Sequence, residues 1–324
     1  FKNSRELFVF LNIKMKRLFL FCLLFISIKS IAQEKKLAIT DIPDTINTKR
    51  LYAVTGTYVA AWTGSILALN NVWYAQYPKS KLHSFNDSKE WLQVDKIGHA
   101  FSAYELSLIF SSALQWSGVD KKRASIFGAL SGVTSLSVIE ILDGYSAGWG
   151  FSWSDMLANS LGSGIYATQN MLWNEQRILF KFSTHAPKYE NGQLKNRAKN
   201  LYGSSLSELI FKDYNGQTYW LSGNINSFFP KSNFPKWLNI AVGYGAQNLY
   251  GGFENEWTDN GINVNRKDIP RLRQFYLSPD IDLSRIKTTS KIINSIFKTF
   301  TIKMPLPTLE INSKGKLCFY PVYF

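Results

Sequence analysis

Four long stretches without charge dominate the first half of this chain and limit what it can fold into. They cover residues 51–78, 97–119, 124–139 and 156–174. The only acidic, basic or histidine side chains within them are His99 and Glu105. Uncharged runs of this length predict helices of about 16 to 25 residues. We therefore expect four helices in a helical domain at residues 51–180.

Small residues recur along these stretches at helical spacing. Ala124, Gly128 and Gly132 lie four residues apart, which allows helix backbones to approach closely. Thr, Asn and Gln side chains interrupt the apolar runs, so a bundle buried in a soluble protein would have a similar composition. We expect a four-helix bundle that is membrane-seated or membrane-embedded, with the soluble bundle as the alternative.

The chain changes character near residue 180, where short alternating segments separated by turn signals begin. Asn215-Gly216 lies between Glu208–Tyr214 and Gln217–Asn224 and predicts a hairpin. Ile292, Ile293, Ile296, Phe297 and Phe300 share one helical face. Further strand candidates are Trp237–Tyr244, Arg273–Leu283, Thr308–Ile311 and Lys316–Tyr320. The predicted fold class is α+β, with an antiparallel β-rich C-terminal domain at residues 181–324.

An outer-membrane barrel with a helical plug is a further alternative for this fold. The chain ends on an aromatic residue, Phe324, in an alternating segment, as the last strand of such a barrel does. Pro321 argues against an ordinary ladder strand at that place. A small sheet packed on the helices is the simpler interpretation.

The N-terminus has the pattern of a cleavable signal peptide. Met15–Arg17 is basic, Leu18–Ile28 is an apolar run of suitable length, and Ser30–Ala32 supplies small residues for cleavage. We therefore interpret residues 1–32 as an upstream extension and signal peptide, and residues 33–50 as a linker. The predicted location is outside the cytoplasm, in the periplasm or at the outer membrane, in association with a membrane.

The composition narrows the choice of partner. The formal net charge is +14, but basic residues do not cluster among aromatic ones, so we expect no nucleic-acid partner. Anionic membrane lipid or other envelope components suit this charge better. Cys318 is the only cysteine after the signal region, so no disulfide within the chain can stabilise the fold.

Three pairs of polar side chains stand near the ends of the predicted helices. In each pair the spacing of three or four residues places both members on one helical face. The pairs are Asp95 with His99, Glu140 with Asp143, and Asp155 with Asn159. If the helices pack together, these side chains meet in a single polar cluster.

Such a cluster has three interpretations. His99, Glu140, Asp143 and Asp155 offer the imidazole and carboxylate groups that can bind a divalent metal, the one cofactor we consider. The same four are candidates for acid–base catalysis. The third and preferred interpretation is structural: Asp95 caps a helix, Ser152 and Asp155 form a capping box, and His99 and Glu140 pair between helices.

The order of these residues resembles a known family. Asp95-Lys96-x-x-His99, Glu140-x-x-Asp143 and Gly150-Phe151-Ser152-Trp153-Ser154-Asp155 with Asn159 are similar to the YfiM-like family of predicted periplasmic proteins, a domain of unknown function. More distantly, the pattern is similar to the VanZ-like membrane family. The resemblance covers roughly residues 85–175. It implies a helical envelope domain in which these polar residues matter, and it brings no established reaction.

The predicted function is therefore that of a cell-envelope protein, and a structural or ligand-binding role is preferred to an enzymatic one. A metal-dependent or acid–base enzyme acting on lipid or cell-wall glycan is the alternative. An enzyme needs an open pocket that reaches His99, whereas a structural network should be sealed and fully hydrogen-bonded.

Overall fold

Helices form the first half of the protein in a computed structural model, which describes residues 40–190, 192–299 and 301–324. Residues 42–324 form one unit. The predicted signal peptide and residues 33–39 of the predicted linker lie outside the described residues. The helices are α1 (Thr48–Ala68), α2 (Val94–Trp116), α3 (Lys121–Gly144) and α4 (Trp153–Trp173). A π-helical turn at Leu69–Trp73, a 3-10 turn at Tyr74–Gln76 and another at Glu90–Gln93 lie between α1 and α2.

Three helices, and not the expected four, form the bundle. Helices α2, α3 and α4 pack against one another. In the described part of the chain, α1 buries none of its residues. It touches the bundle through Tyr58, whose hydroxyl lies 2.6 Å from Ser135 Oγ, and through Arg50, which stacks on the ring of Trp116. Helix α1 is therefore an addition to a three-helix core.

Small residues set the close spacing of that core. The Cβ of an alanine at Gly162 on α4 would overlap the carbonyl group of Ala100 on α2. At Gly132 on α3, it would lie 2.5 Å from the carbonyl oxygen of Ala103. The predicted role of Gly132 in helix packing is therefore confirmed.

Among the described helices, α3 alone is long and apolar enough to cross a membrane by length and composition. It nevertheless buries Glu140 and a row of small residues against α2 and α4, as the core helix of a soluble bundle also does. The expected membrane embedding of the bundle therefore stays a prediction.

The second half is built on an antiparallel sheet. Within the described residues it has six strands in the order β1-β2-β3-β6-β7-β8, and β4 and β5 form a separate hairpin. The strands are β1 (Ile178–Thr184), β2 (Gln217–Asn224), β3 (Leu238–Gln247), β4 (Glu256–Asp259), β5 (Ile262–Asn265), β6 (Leu272–Ile281), β7 (Leu306–Asn312) and β8 (Leu317–Tyr323). Strands β1 and β8 are the edges, so the described strands do not support the barrel alternative.

Short helices connect the strands. They are α5 (Gln193–Tyr202), α6 (Leu206–Lys212), α7 (Ile225–Phe228) and α8 (Lys291–Thr299), with a 3-10 turn at Leu283–Arg285. Helix α8 confirms the helix predicted from the apolar face of Ile292, Ile293, Ile296 and Phe297, and Phe300 lies outside the described residues. The predicted hairpin at Asn215-Gly216 is wrong, because a capping box between Ser205 and Glu208 starts α6 where a strand was expected. Strand β2 pairs with β1 instead.

The two faces of the sheet differ in polarity. One face buries polar groups, including Lys181 and Asp280, whose Nζ and Oδ2 atoms lie 2.7 Å apart. The opposite face carries apolar side chains. Near β1 and β2 it packs on α2, where Phe101 contacts Phe182 and Tyr219. This contact joins the bundle and the sheet into one core.

We expect Gly162→Ala to destabilise the protein by about 1–3 kcal/mol, because the new methyl group pushes α2 and α4 apart. The matched control is Gly164→Ala on the same helix, where an added Cβ meets nothing within 4 Å. That control should stabilise the protein by roughly 0.5–1 kcal/mol through helix propensity. Chemical denaturation of both variants measures the difference, and equal effects would contradict the packing argument.

Candidate functional site

Five of the six predicted polar residues meet between the helices, and Asp143 does not join them. Asp95 and His99 lie in the first turns of α2, Glu140 near the end of α3, and Asp155 and Asn159 at the start of α4. His99 Nδ1 lies 3.1 Å from Asn159 Oδ1 and 3.5 Å from Glu140 Oε1. His99 Nε2 lies 4.0 Å from Asp155 Oδ2. The structure therefore places the side chains of all three helices around one imidazole.

Lys96 lies at the centre of the carboxylates, and the sequence-based analysis did not select it. Its Nζ atom lies 2.7 Å from Asp87 Oδ2, 3.0 Å from Asp95 Oδ2 and 2.9 Å from Asp155 Oδ1. Burial alone would lower the pKa of Lys96, but Asp95, Asp155 and Asp87 raise it, so the ammonium stays charged. One buried cation thus compensates three acidic groups from three segments of the chain.

Asp87 is the second residue that the sequence-based analysis missed. Its Oδ1 atom accepts hydrogen bonds from Ser152 Oγ at 2.6 Å and Ser154 Oγ at 2.7 Å. Burial would raise the pKa of Asp87, but these bonds and Lys96 lower it to about 2. The signal was weak, since Asp87 belongs to a polar loop without helical periodicity. Its partner Ser152 caps α4 by accepting from the Asp155 backbone N–H, which confirms half of the predicted capping box. The other half is not formed, because the Ser152 backbone N–H donates to Glu140 Oε2.

Asp95 is held by the turn before β2 and does not cap α2. The N-cap position belongs to Gln93, so the predicted capping role of Asp95 is wrong. Its Oδ1 atom accepts a hydrogen bond from the Tyr214 hydroxyl at 2.7 Å, and its Oδ2 atom faces Lys96. Burial would raise the pKa of Asp95, but His99 and Lys96 lower it. Asp95 therefore stays an anion between helix and sheet.

The turn before Asp95 is strained. Trp91, Leu92 and Gln93 have φ values of 49°, 51° and 65°, in the left-handed region that side chains other than glycine rarely adopt. The carbonyl oxygen of Leu92 accepts hydrogen bonds from the Tyr244 hydroxyl and from Arg273 Nη1. Strain of this kind costs roughly 1–3 kcal/mol per residue and persists only where neighbours hold it. Strands β3 and β6 supply that support here.

The pKa values of His99 and Glu140 are both raised from those of the exposed side chains. Burial would lower the pKa of His99, but Asp95, Asp155 and Glu140 raise it. Burial raises the pKa of Glu140 to about 8, against the effect of His99. At neutral pH, Glu140 is therefore mostly protonated, and the carboxylates around His99 favour the charged form of its imidazole.

Three buried atoms of the cluster lack hydrogen bonds among the described residues: Glu140 Oε1, Asn159 Nδ2 and Asp155 Oδ1. Asp155 Oδ1 has the ammonium group of Lys96 as an ion-pair partner, whereas Asn159 Nδ2 has no such partner in the described part of the chain. A purely structural network should satisfy its buried polar groups. The cluster therefore departs from the fully bonded network that the structural interpretation requires.

Asp143 stands beside the cluster and takes a different partner. Its Oδ1 atom accepts a hydrogen bond of 2.7 Å from the Tyr74 hydroxyl, which lies in the turn after α1. Burial raises the pKa of Asp143 to about 6. Asp143 thus links the bundle to the segment that follows α1.

A metal ion could be held by two of the predicted ligands, His99 and Asp155, together with Asp95, which was not predicted as a ligand. Among the described residues, Asp95, His99 and Asp155 each offer a ligand atom, and these atoms lie within 4.8 Å of one another. Glu140 and Asp143, predicted as ligands, are not in this group. Lys96 shares the carboxylates of Asp95 and Asp155, so its ammonium competes directly with any added cation.

A pocket of about 300 Å³ leads to this cluster from the junction of helices and sheet. Its polar floor includes Asp95 and His99, whose side chains are 19% and 20% exposed, whereas Glu140 is sealed at 1%. Phe211 on α6 lines the pocket and is largely exposed. The other apolar lining residues are Phe101, Leu136, Ile139, Phe182, Ile210 and Tyr219. Its size and lining fit a small ligand site.

Comparison with known proteins identifies one related family. Residues 84–171 match the model of a family described as "Predicted periplasmic lipoprotein (DUF2279)". No curated protein and no solved structure matches the chain. The family match supports an exported envelope protein of unknown function. The specific likeness to YfiM-like or VanZ-like proteins stays a prediction.

We expect Lys96→Met to destabilise the fold by about 3–5 kcal/mol, because three carboxylates lose their shared buried cation. Adding Asp87→Asn and Asp155→Asn to that variant should restore part of the loss. Lys122→Met, at an exposed lysine, is the control and should change stability by less than about 0.5 kcal/mol. Urea denaturation tests all three, and no recovery in the combined variant would contradict the charge argument.

Glu140→Gln should lie within about 1 kcal/mol of the wild type at pH 5, whereas Glu140→Ala should cost about 3 kcal/mol. Since the pKa of Glu140 is about 8 when folded, the folded protein keeps a proton that the unfolded chain releases above pH 4.5. Wild-type stability therefore falls between pH 4.5 and 8, and the glutamine variant lacks that loss. Denaturation at pH 5 and pH 8 should show the variant gaining on the order of 2 kcal/mol. An unchanged difference would mean that Glu140 is ionised throughout.

Proposed function

We propose that this chain is an envelope protein that binds a small amphipathic ligand in the pocket between helices and sheet. The single observation that supports this is the position of Asp95 and His99, which alone among the predicted cluster residues line the apolar-walled pocket. A sealed structural cluster would not present them there. The proposal adopts the ligand-binding interpretation of the sequence.

The chemistry of the pocket defines the ligand class. Phe101, Phe182 and Phe211 provide aromatic walls for an apolar chain. The His99 imidazole donates a hydrogen bond, and the Asp95 carboxylate accepts one. A neutral head group with hydroxyls, which both donates and accepts, complements this pair. A monoacylglycerol has these properties and serves as the probe.

The full chain should bind 1-decanoylglycerol at one site, measured by isothermal titration calorimetry. Phe211→Ala should weaken binding by roughly tenfold. The bound ligand covers the exposed Phe211 ring, and losing that contact costs more than about 1.4 kcal/mol. His99→Asn should weaken it similarly by removing the imidazole donor.

Leu206→Ala is the matched control for Phe211→Ala. Leu206 lies on the same short helix and is exposed, but it does not line the pocket. Its replacement should leave binding unchanged. Binding that survives both Phe211→Ala and His99→Asn would place the ligand elsewhere and refute the proposal.

Acid–base catalysis in the same pocket is a second candidate, favoured by the carboxylates around His99. Asp155 and Glu140 lie behind the imidazole, an arrangement that orients a histidine for proton transfer. Its test is hydrolysis of the same probe, followed as release of decanoic acid. Catalysis requires turnover that His99→Asn abolishes, whereas a binding protein shows none.

A further inference from the structure

On the part of the sheet that α2 does not cover, the strands expose apolar side chains, and they bury polar ones on the opposite side. Cross-strand register aligns Val242, Leu277, Leu309 and Phe319 in one row over β3, β6, β7 and β8. These four side chains are between 43% and 61% exposed. We call this surface, together with the next row below, the apolar face.

The next row has the same character. Phe275, Ile311 and Leu317 are paired across β6, β7 and β8, and all three are exposed. The opposite side of the same strands buries Asp280 and Glu310. An antiparallel sheet that faces water on one side normally alternates the other way, with polar residues outward. Apolar residues outward are typical of strands that contact lipid.

Aromatic residues and lysines surround the strand ends of this face. The segment between β2 and β3 exposes Phe229, Phe234 and Trp237 together with Lys231 and Lys236. Aromatic rings seat at the boundary between lipid and water, and lysine side chains extend to the head groups.

The opposite strand ends are also basic. The turn from β7 to β8 carries Lys314 and Lys316, both exposed. Because Asn312 pairs with Gln274 and Leu238 pairs with Ile281, this turn lies at the far end of the strands from Trp237. Lysines thus border the apolar face at both ends.

We propose that the apolar face lies flat on a bilayer that contains anionic phospholipid. The lysines at both ends complement negative head groups, and the chain as a whole is basic, with a formal net charge of +14. A second copy of this face would bring lysines against lysines in a two-fold contact, so charge favours lipid over self-association. The proposal is independent of the ligand pocket.

The test is flotation of the full chain with vesicles of phosphatidylglycerol and phosphatidylcholine. The variant Val242→Asp/Leu277→Asp places two charges in the centre of the face and should reduce the bound fraction at least tenfold. Ile262→Asp, at an exposed residue of the separate hairpin, is the matched control and should bind like the wild type. Because all variants share the apolar run Leu18–Ile28, differences between them report on the sheet.

A second variant tests the charge requirement. Lys231→Glu/Lys236→Glu should lose binding to the anionic vesicles while its circular dichroism spectrum and thermal unfolding match the wild type. Circular dichroism must also show that Val242→Asp/Leu277→Asp is folded. If that variant does not fold, the lysine variant decides the proposal.

Two results would overturn the inference. One is equal flotation of the wild type, Val242→Asp/Leu277→Asp and Lys231→Glu/Lys236→Glu. The other is a wild-type dimer in light scattering that Leu277→Asp converts to a monomer, with vesicles left unbound. The second result would assign the face to another copy of the chain.

Discussion

The ammonium group of Lys96 is the constraint on which the arrangement of the helices depends. It brings Asp87 from a loop, Asp95 from α2 and Asp155 from α4 to within about one hydrogen-bond length of a single atom. A buried charge without partners would be costly, and so would three uncompensated carboxylates. The helices can therefore pack closely only in an arrangement that keeps these four groups together. His99 takes its position, and its raised pKa, from that arrangement.

The C-terminal half holds residues of the helical site in place. Tyr214, in the turn before β2, donates a hydrogen bond to Asp95, while Tyr244 and Arg273 of the sheet hold the left-handed turn from which α2 starts. The pocket exists because Phe182 and Tyr219 of the sheet form one wall and the bundle forms the other. A helical fragment without the sheet would lose both the support of Asp95 and this wall. The C-terminal half is thus part of the site, although the family match ends at residue 171.

Sequence reasoning found the helical part of the site because charges are rare there. An ionisable residue such as His99 or Glu140 in an otherwise uncharged helix is conspicuous, and helical spacing fixes which face it occupies. Asp87 and Tyr214 were missed because loops and strand ends carry no such periodicity, and their approach depends on tertiary packing. Similarly, the Asn215-Gly216 turn signal led to a predicted strand at Glu208–Tyr214, whereas the capping box at Ser205 starts a helix there. The α+β order of elements was nevertheless predicted correctly.

The pocket and the apolar face belong to the same side of the sheet. Tyr219 lines the pocket, and Leu221, two residues further along β2, is exposed and pairs with Val242 in the apolar face. Side chains two apart on a strand point the same way, so the pocket wall and the apolar face lie on one side of the sheet. Helix α2 packs over Tyr219, whose ring contacts Phe101 and is only 7% exposed. If the apolar face lies on lipid, the pocket therefore lies on the bilayer side of the sheet, which places the polar cluster near a source of amphiphiles.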